Sequence, residues 1–282
     1  MTTTAALTEG PTVDADLLAF YTDHCDEAAR LTATIRGRLE ALRIRDILRR
    51  YLPPPPARIA DVGGGPGVHA RWLQAAGHIV DLVDPIPRHV EAARASGVRS
   101  AVLGDARSLP FADATYDLVL LAGPVYHLPP EGRALALCEA VRVAAPDGAV
   151  AAVGVNRYAN LFGAAIANQL DERRRILDDI LSDGYSARND RVPQMYYHSP
   201  DQLAAELTEA GLADVDVVGL TGPGGWLTVA LDRHFLETGT PLPATLTAPD
   251  PLQTALAVAR DADSYPALTA SSAQLMAIGH RS

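Results

Sequence analysis

Apolar and polar positions change rhythm twice along the chain. Over residues 14–51, Leu31, Ile35, Leu39, Leu42 and Ile47 recur every three to five residues, the period of a helix with one buried face. Seven arginines between Arg30 and Arg50 read as the solvated face of that helical segment. Pro53 to Pro56 end it. Residues 1–12 are rich in Thr and Ala and predict no ordered element. They also lack the basic-then-apolar pattern of a signal peptide.

Beyond the prolines, short apolar runs alternate with amphipathic stretches. The pattern predicts strands at 58–62, 78–83, 99–103, 116–122 and 149–155, and helices at 69–76, 87–96 and 131–144. Such α/β alternation with apolar strands implies a parallel sheet covered on both faces. Residues 156–198 break the rhythm with an amphipathic stretch at 160–181 and a polar loop, which reads as an inserted lid over a substrate pocket. Ser199 as N-cap, Pro200 at the first helical position and Gly211 past the end then frame another helix. Strands at 215–220 and 275–280, with helices at 227–236 and 251–262, complete the pattern. The expected organisation is an N-terminal helical cap segment at 1–56, a ligand-binding core at 57–155, the lid at 156–198, and the rest of the same sheet at 199–282. No internal repeat is visible.

Composition narrows the partners. Asp and Glu total 34 against 24 Lys and Arg, a net charge of −10, which argues against nucleic acid or an anionic membrane as the main partner. No apolar run reaches the roughly 18 residues that span a bilayer. Cys25 and Cys138 make no disulfide framework, so a reducing cytoplasm is the simplest setting, and a buried thiol is the default for each. The Ala-, Arg-, Pro- and Leu-rich composition reads as bacterial.

The informative segment is Ile59-Ala60-Asp61-Val62-Gly63-Gly64-Gly65-Pro66-Gly67. A strand ends in an acid, and glycines then let backbone N–H groups approach a ligand with no Cβ in the way. Asp84 ends the second strand, followed by Pro85, where a carboxylate is placed to accept from both hydroxyls of a ribose. Gly104-Asp105-Ala106 ends the third, where a short acid can accept from the amine of an adenine. Gly65 to Ala70 also matches the dinucleotide fingerprint, but Asp61 places a negative charge where a pyrophosphate would lie. A cofactor with a cationic amino-acid tail suits Asp61 better.

This order of motifs resembles class I S-adenosylmethionine-dependent methyltransferases of the bacterial small-molecule type. The likeness continues through residues 116–128, which resemble the fourth strand and following loop of such enzymes, and through Tyr197-His198-x-Pro200 and Gly222 to Trp226. The resemblance implies a Rossmann-like seven-stranded sheet with helices on both faces and the last strand antiparallel. It implies S-adenosylmethionine as cofactor and S-adenosylhomocysteine as product. The methionine end would lie along Asp61, Gly63, Gly64 and Gly65. Asp84 with Pro85 would hold the ribose, Gly104, Asp105 and Ala106 the adenine, and Ala122 and Gly123 the sulfonium. Tyr21, with Arg30 as a weaker candidate, would reach the cofactor carboxylate. The Asn/Asp-Pro-Pro-aromatic motif of nucleic-acid amino-methyltransferases is missing at Ala122 to Val125, and Leu120 to Leu128 holds no acid for a catalytic metal.

Methyl transfer needs an aligned nucleophile and, where that nucleophile carries a proton, a base. His127 and His198 are the candidate bases, since an unperturbed imidazole titrates near neutrality. Tyr126, Tyr197 and Trp226 are expected to wall the substrate pocket. His24, His69, His78, His89, His234 and His280 read as structural or surface residues. The substrate would be a small molecule of specialised metabolism, accepting on oxygen, nitrogen or carbon. A second reading keeps the fold and uses the bound cofactor structurally or electrostatically for a cyclisation or rearrangement without transfer. A homodimer is the default for an enzyme of this size.

Overall fold

The computed structural model describes residues 13–189, 192–243 and 250–282. The expectation for residues 1–12 therefore lies outside the described residues. Strands β1 (Arg58–Val62), β2 (Ile79–Asp84), β3 (Ser100–Leu103), β4 (Tyr116–Leu121) and β5 (Ala144–Val155) are parallel, in the order β3-β2-β1-β4-β5. Two later strands complete a seven-stranded sheet. Gln274–Arg281 pairs antiparallel with β5 and with Leu212–Gly219 at the edge. The expected topology is present, including the antiparallel final strand.

The period of two explains why these segments are nearly all apolar. Leu118 and Leu120 of β4 pack on one layer, with Ile44, Ile47 and Leu48 of the helix Ile35–Leu48 and Leu73 of the helix Val68–Ala75. Val119 and Leu121 face the other layer, with Ala136, Leu137 and Ala140 of the helix Pro130–Val143 and Leu203 and Leu207 of the helix Pro200–Glu209. Both faces of each strand are buried, as a parallel sheet demands. Ser199 caps Pro200–Glu209 through a full capping box with Gln202.

Two expectations need correction. The arginines of Ile35–Leu48 are not simply a solvated face. Arg43 is fully buried, donating from Nε to the Leu220 carbonyl (2.9 Å) and from Nη2 to Asp263 (2.6 Å). Neither cysteine is a buried thiol, since Cys138 is exposed and Cys25 half-buried. No helix among the described residues is long and apolar enough to cross a membrane.

Candidate active site

In a parallel sheet of this order the chain leaves β1 and β4 in opposite directions, which opens a crevice at their carboxyl ends. A cavity of about 290 Å³ lies there, at the lower edge of the range for small-molecule sites. The loops after β1, β2, β3 and β4 form its floor through Gly63–Gly65, Asp84–Ile86, Gly104–Arg107 and Ala122–Pro124. Its roof is remote in sequence: Val13, Asp14, Leu17, Tyr21, Glu27, Arg30 and Leu31.

The glycine loop is shaped by what surrounds it. Gly63 and Gly65 have φ of 68° and 55°, a region side chains rarely adopt. A Cβ on Gly64 would lie 2.7 Å from both Asp61 Cγ and Leu82 Cδ1. Asp61 does not line the cavity but lies beneath the loop, fully buried. Its Oδ2 accepts from Ala70 N–H at 3.1 Å, and its Oδ1 has no partner. Burial, reinforced by the charge of Asp84 and partly offset by the Ala70 bond, pushes the Asp61 carboxyl up to about 7.

Asp84 is braced from three sides. Oδ2 accepts from Gly65 N–H (2.9 Å), while Oδ1 accepts from Ile86 N–H (2.9 Å) and meets His89 Nδ1 at 3.1 Å. This carboxylate ties the glycine loop to the second strand. Asp105 is also occupied: Arg107 Nε and Nη2 reach its two oxygens at 2.9 and 2.7 Å. A carboxylate has about four lone-pair positions, so each acid retains room for a ligand.

The other end of the cavity is aromatic. Tyr21 Oη stands 2.8 Å from His127 Nε2, and the two rings meet edge-on. Burial pushes the Tyr21 hydroxyl well above its ordinary value. Burial and the charge of Arg30 lower His127 to about 4, against a small upward effect of the Gln194 backbone. His127 is thus neutral at pH 7. Tyr126 Oη lies 3.7 Å from where a Gly123 Cβ would stand, at the junction with the glycine loop. Arg30 donates from Nε to Glu27 (2.7 Å) and from Nη1 to both oxygens of Glu40 (2.9 Å), and among the described residues its Nη2 makes no hydrogen bond.

The sequence expectations divide sharply here. Tyr21, Gly63, Gly64, Gly65, Asp84, Pro85, Gly104, Asp105, Ala106, Ala122, Gly123, Tyr126 and His127 all line one cavity. His198, Tyr197 and Trp226 do not. His198 is buried beside Gly154 and Leu203, with Nε2 3.4 Å from Glu206, which also binds Arg133. Tyr197 is buried next to Met195, with Oη 3.9 Å from its sulfur. Trp226 stacks on Phe162 and donates to the Ser271 carbonyl at 2.7 Å. The described residues of the segment 156–198 do not cover the cavity as a lid would. Among its described residues Gln194 reaches the lining, and residues 13–31 supply the roof.

Among the lining residues that the sequence did not single out are His69, His89 and Glu27. His69 stands one residue into the helix after the glycine loop, and burial lowers it to about 4. His89 follows Asp84 by five residues, the distance that returns the first turn of Pro87–Ala95 to the strand end. Glu27 holds Arg30. A histidine soon after a strand-end acid was a usable signal for His89; no sequence signal marks the other two.

The cavity residues fit S-adenosylmethionine. The loop leaves no Cβ toward a ligand, Asp84 is fixed at the strand tip, and the unpartnered Asp61 oxygen favours a cation nearby. Among the described residues no group of three or more His, Cys, Asp and Glu converges as a metal site.

Comparison with known proteins agrees. Residues 60–152 match the family model described as a methyltransferase domain. The ubiquinone biosynthesis O-methyltransferase of Methylocella silvestris is 29% identical over 63% of this chain and 68% of its own length. The ubiquinone/menaquinone biosynthesis C-methyltransferase of a Ruegeria species is 34% identical over 37% of this chain, which spans 45% of that relative. A crystal structure from Thermotoga maritima, described as an S-adenosylmethionine-dependent methyltransferase and possible histamine N-methyltransferase, shares the fold with a TM-score of 0.57 at 18% identity, covering 94% of this chain and 99% of that one. Residues 60–152 are thus a methyltransferase domain, and the fold around them is that of S-adenosylmethionine-dependent methyltransferases.

Proposed function

We propose that the protein methylates an oxygen, nitrogen or carbon nucleophile on a small molecule of specialised metabolism. The observation that carries this reading is the continuity of one cavity from the glycine loop and Asp84 to Tyr126 and His127. When bound, S-adenosylmethionine supplies an electrophilic methyl group on its sulfonium.

The chain's own residues do the rest. Asp84 accepts from a ribose hydroxyl with the lone pair left on Oδ2, and its bond to Gly65 keeps the loop in place. Asp105 and Ala106 hold the adenine edge. Arg30 and the Tyr21 hydroxyl line the cavity with the glycine loop and are suited to the methionine carboxylate. His127, neutral at pH 7, takes the proton of an acceptor that carries one. Holding the acceptor in line contributes several kcal/mol to the barrier reduction.

The relatives' names support small-molecule acceptors on oxygen and carbon but belong to those proteins. The test is incubation with S-adenosylmethionine and candidate acceptors, reading S-adenosylhomocysteine and product mass together. Equimolar S-adenosylhomocysteine and a product heavier by one methylene support transfer. A product of unchanged mass, formed only with the cofactor present, favours the cyclisation or rearrangement reading instead.

A further inference from the structure

Tyr21 has one proton to donate, and its hydroxyl faces His127. Its hydroxyl lies 2.8 Å from His127 Nε2. Its ring also lies edge-on to His89, which braces Asp84, so the tyrosine spans the cavity from the cofactor acid to the candidate base. A neutral phenol donates a single hydrogen bond. A second donor on this side is Arg30, whose Nε and Nη1 are taken by Glu27 and Glu40 and whose Nη2 has no hydrogen bond among the described residues. Arg30 and Tyr21 line the same cavity and the Arg30 charge acts on the Tyr21 hydroxyl, so a ligand carboxylate beside Arg30 would be an anion near the same phenol. It is a stronger acceptor than a neutral imidazole.

We propose that Tyr21 is a positioning residue that makes cofactor binding release the base: its hydroxyl caps His127 Nε2, and a cofactor carboxylate at Arg30 draws the hydrogen bond away, leaving the imidazole lone pair for the acceptor substrate. This rests on the methyltransferase reading above. No proton is transferred in the exchange; one hydrogen bond is broken and a charge-assisted one forms. The arrangement makes the two sites compete for Tyr21 and therefore fixes an order, cofactor before proton removal. A cavity holding only the acceptor substrate would keep its base capped.

The competition is measured by calorimetry, without turnover. The probes are S-adenosylhomocysteine, which carries the carboxylate, and 5′-methylthioadenosine, which does not. The variants are Tyr21→Phe, His127→Leu and the double variant. His127→Leu removes the competing acceptor, so it should tighten S-adenosylhomocysteine roughly two- to tenfold, the worth of one ordinary hydrogen bond, and leave 5′-methylthioadenosine unchanged. Tyr21→Phe should weaken S-adenosylhomocysteine alone. In the Tyr21→Phe background, His127→Leu should have no effect. His127→Asn, which keeps a polar group, serves if the leucine variant does not fold. Equal effects of His127→Leu on both probes, or none on either, overturn the proposal. Failure of the wild type to bind either probe overturns the methyltransferase reading itself.

Discussion

Asp84→Asn isolates the residue that joins the cofactor loop to the second strand. The carboxylate uses Oδ2 for Gly65 N–H and Oδ1 for Ile86 N–H and His89. An asparagine has one oxygen and one NH2 group. Its oxygen will keep the Oδ1 place, where two partners meet it, and the NH2 then faces Gly65 N–H, donor against donor. One buried backbone bond is left unmade, at about 1–3 kcal/mol. A ribose hydroxyl that donates to a neutral amide in place of a carboxylate costs a further ~1 kcal/mol. The sum is about 3 kcal/mol, or roughly a hundredfold in affinity.

The assay is calorimetric titration with S-adenosylhomocysteine, paired with a thermal melt. The defect lies in a loop over the sheet edge, so Tm should fall by only a few degrees while binding falls by about two orders of magnitude. An affinity within threefold of wild type would refute the assignment of Asp84. A collapse of Tm with no folded binding-competent fraction would instead mean that the acid is chiefly structural.

Other outcomes follow from the same geometry. The Asp61 carboxyl, raised from 3.8 to about 7, favours folding most below pH 3.8 and loses that contribution as pH rises through 7. A cationic ligand nearby favours its ionised form, so S-adenosylmethionine binding at pH 7 should release about half a proton; titrations in buffers of different ionisation enthalpy read this, and Asp61→Asn should abolish it. Gly67 has a φ of 83° and no room, since a Cβ would lie 2.5 Å from Val98 Cγ2. Gly67→Ala should cost about 3 kcal/mol from strain and crowding together, seen as a clearly lower Tm; an unchanged melt would contradict the packing. Arg43→Leu removes a fully buried guanidinium from Asp263, which keeps Arg50 as a partner. We expect about 3 kcal/mol of destabilisation in chemical denaturation, at the low end for a broken buried pair.

The parts of the fold and site that were legible are those set by short-range rules. Strands such as Tyr116–Leu121 announce themselves by apolar runs broken only at Asp117, and the cofactor loops lie at strand ends, so finding the strand finds the loop. Arg43 was misread because its partner, Asp263, lies 220 residues away, and a charge run carries no record of such distances. His198 failed for a related reason. It is the last residue of the insertion, but its backbone bonds to Val155 and its side chain turns under the helix Pro200–Glu209 toward Glu206. Adjacency to a polar segment suggested a pocket where the crossover made a core. Trp226 turned likewise toward Phe162 and Ser271.

The roof of the cavity has a different physical character from its floor. The short helices Ala15–Ala19 and Glu27–Arg30 and the π-turn Phe20–His24 between them contain no buried residue. Polar ties hold the segment: Arg88 donates to the carbonyls of Thr22 and Cys25, Arg188 pairs with Asp16, and Tyr21 meets His127. A segment with little apolar burial opens at low free energy, independently of the core. Arg88→Met keeps the apolar stem and removes both carbonyl bonds, so it should speed hydrogen exchange across residues 13–31 while leaving exchange in the central strands, and Tm, unchanged. S-adenosylhomocysteine affinity should fall several-fold, because a looser roof must be ordered on binding. Unchanged protection over 13–31 would mean that the roof is held by something other than these ties. Loss of protection spreading into β4 would mean that roof and sheet unfold as one unit.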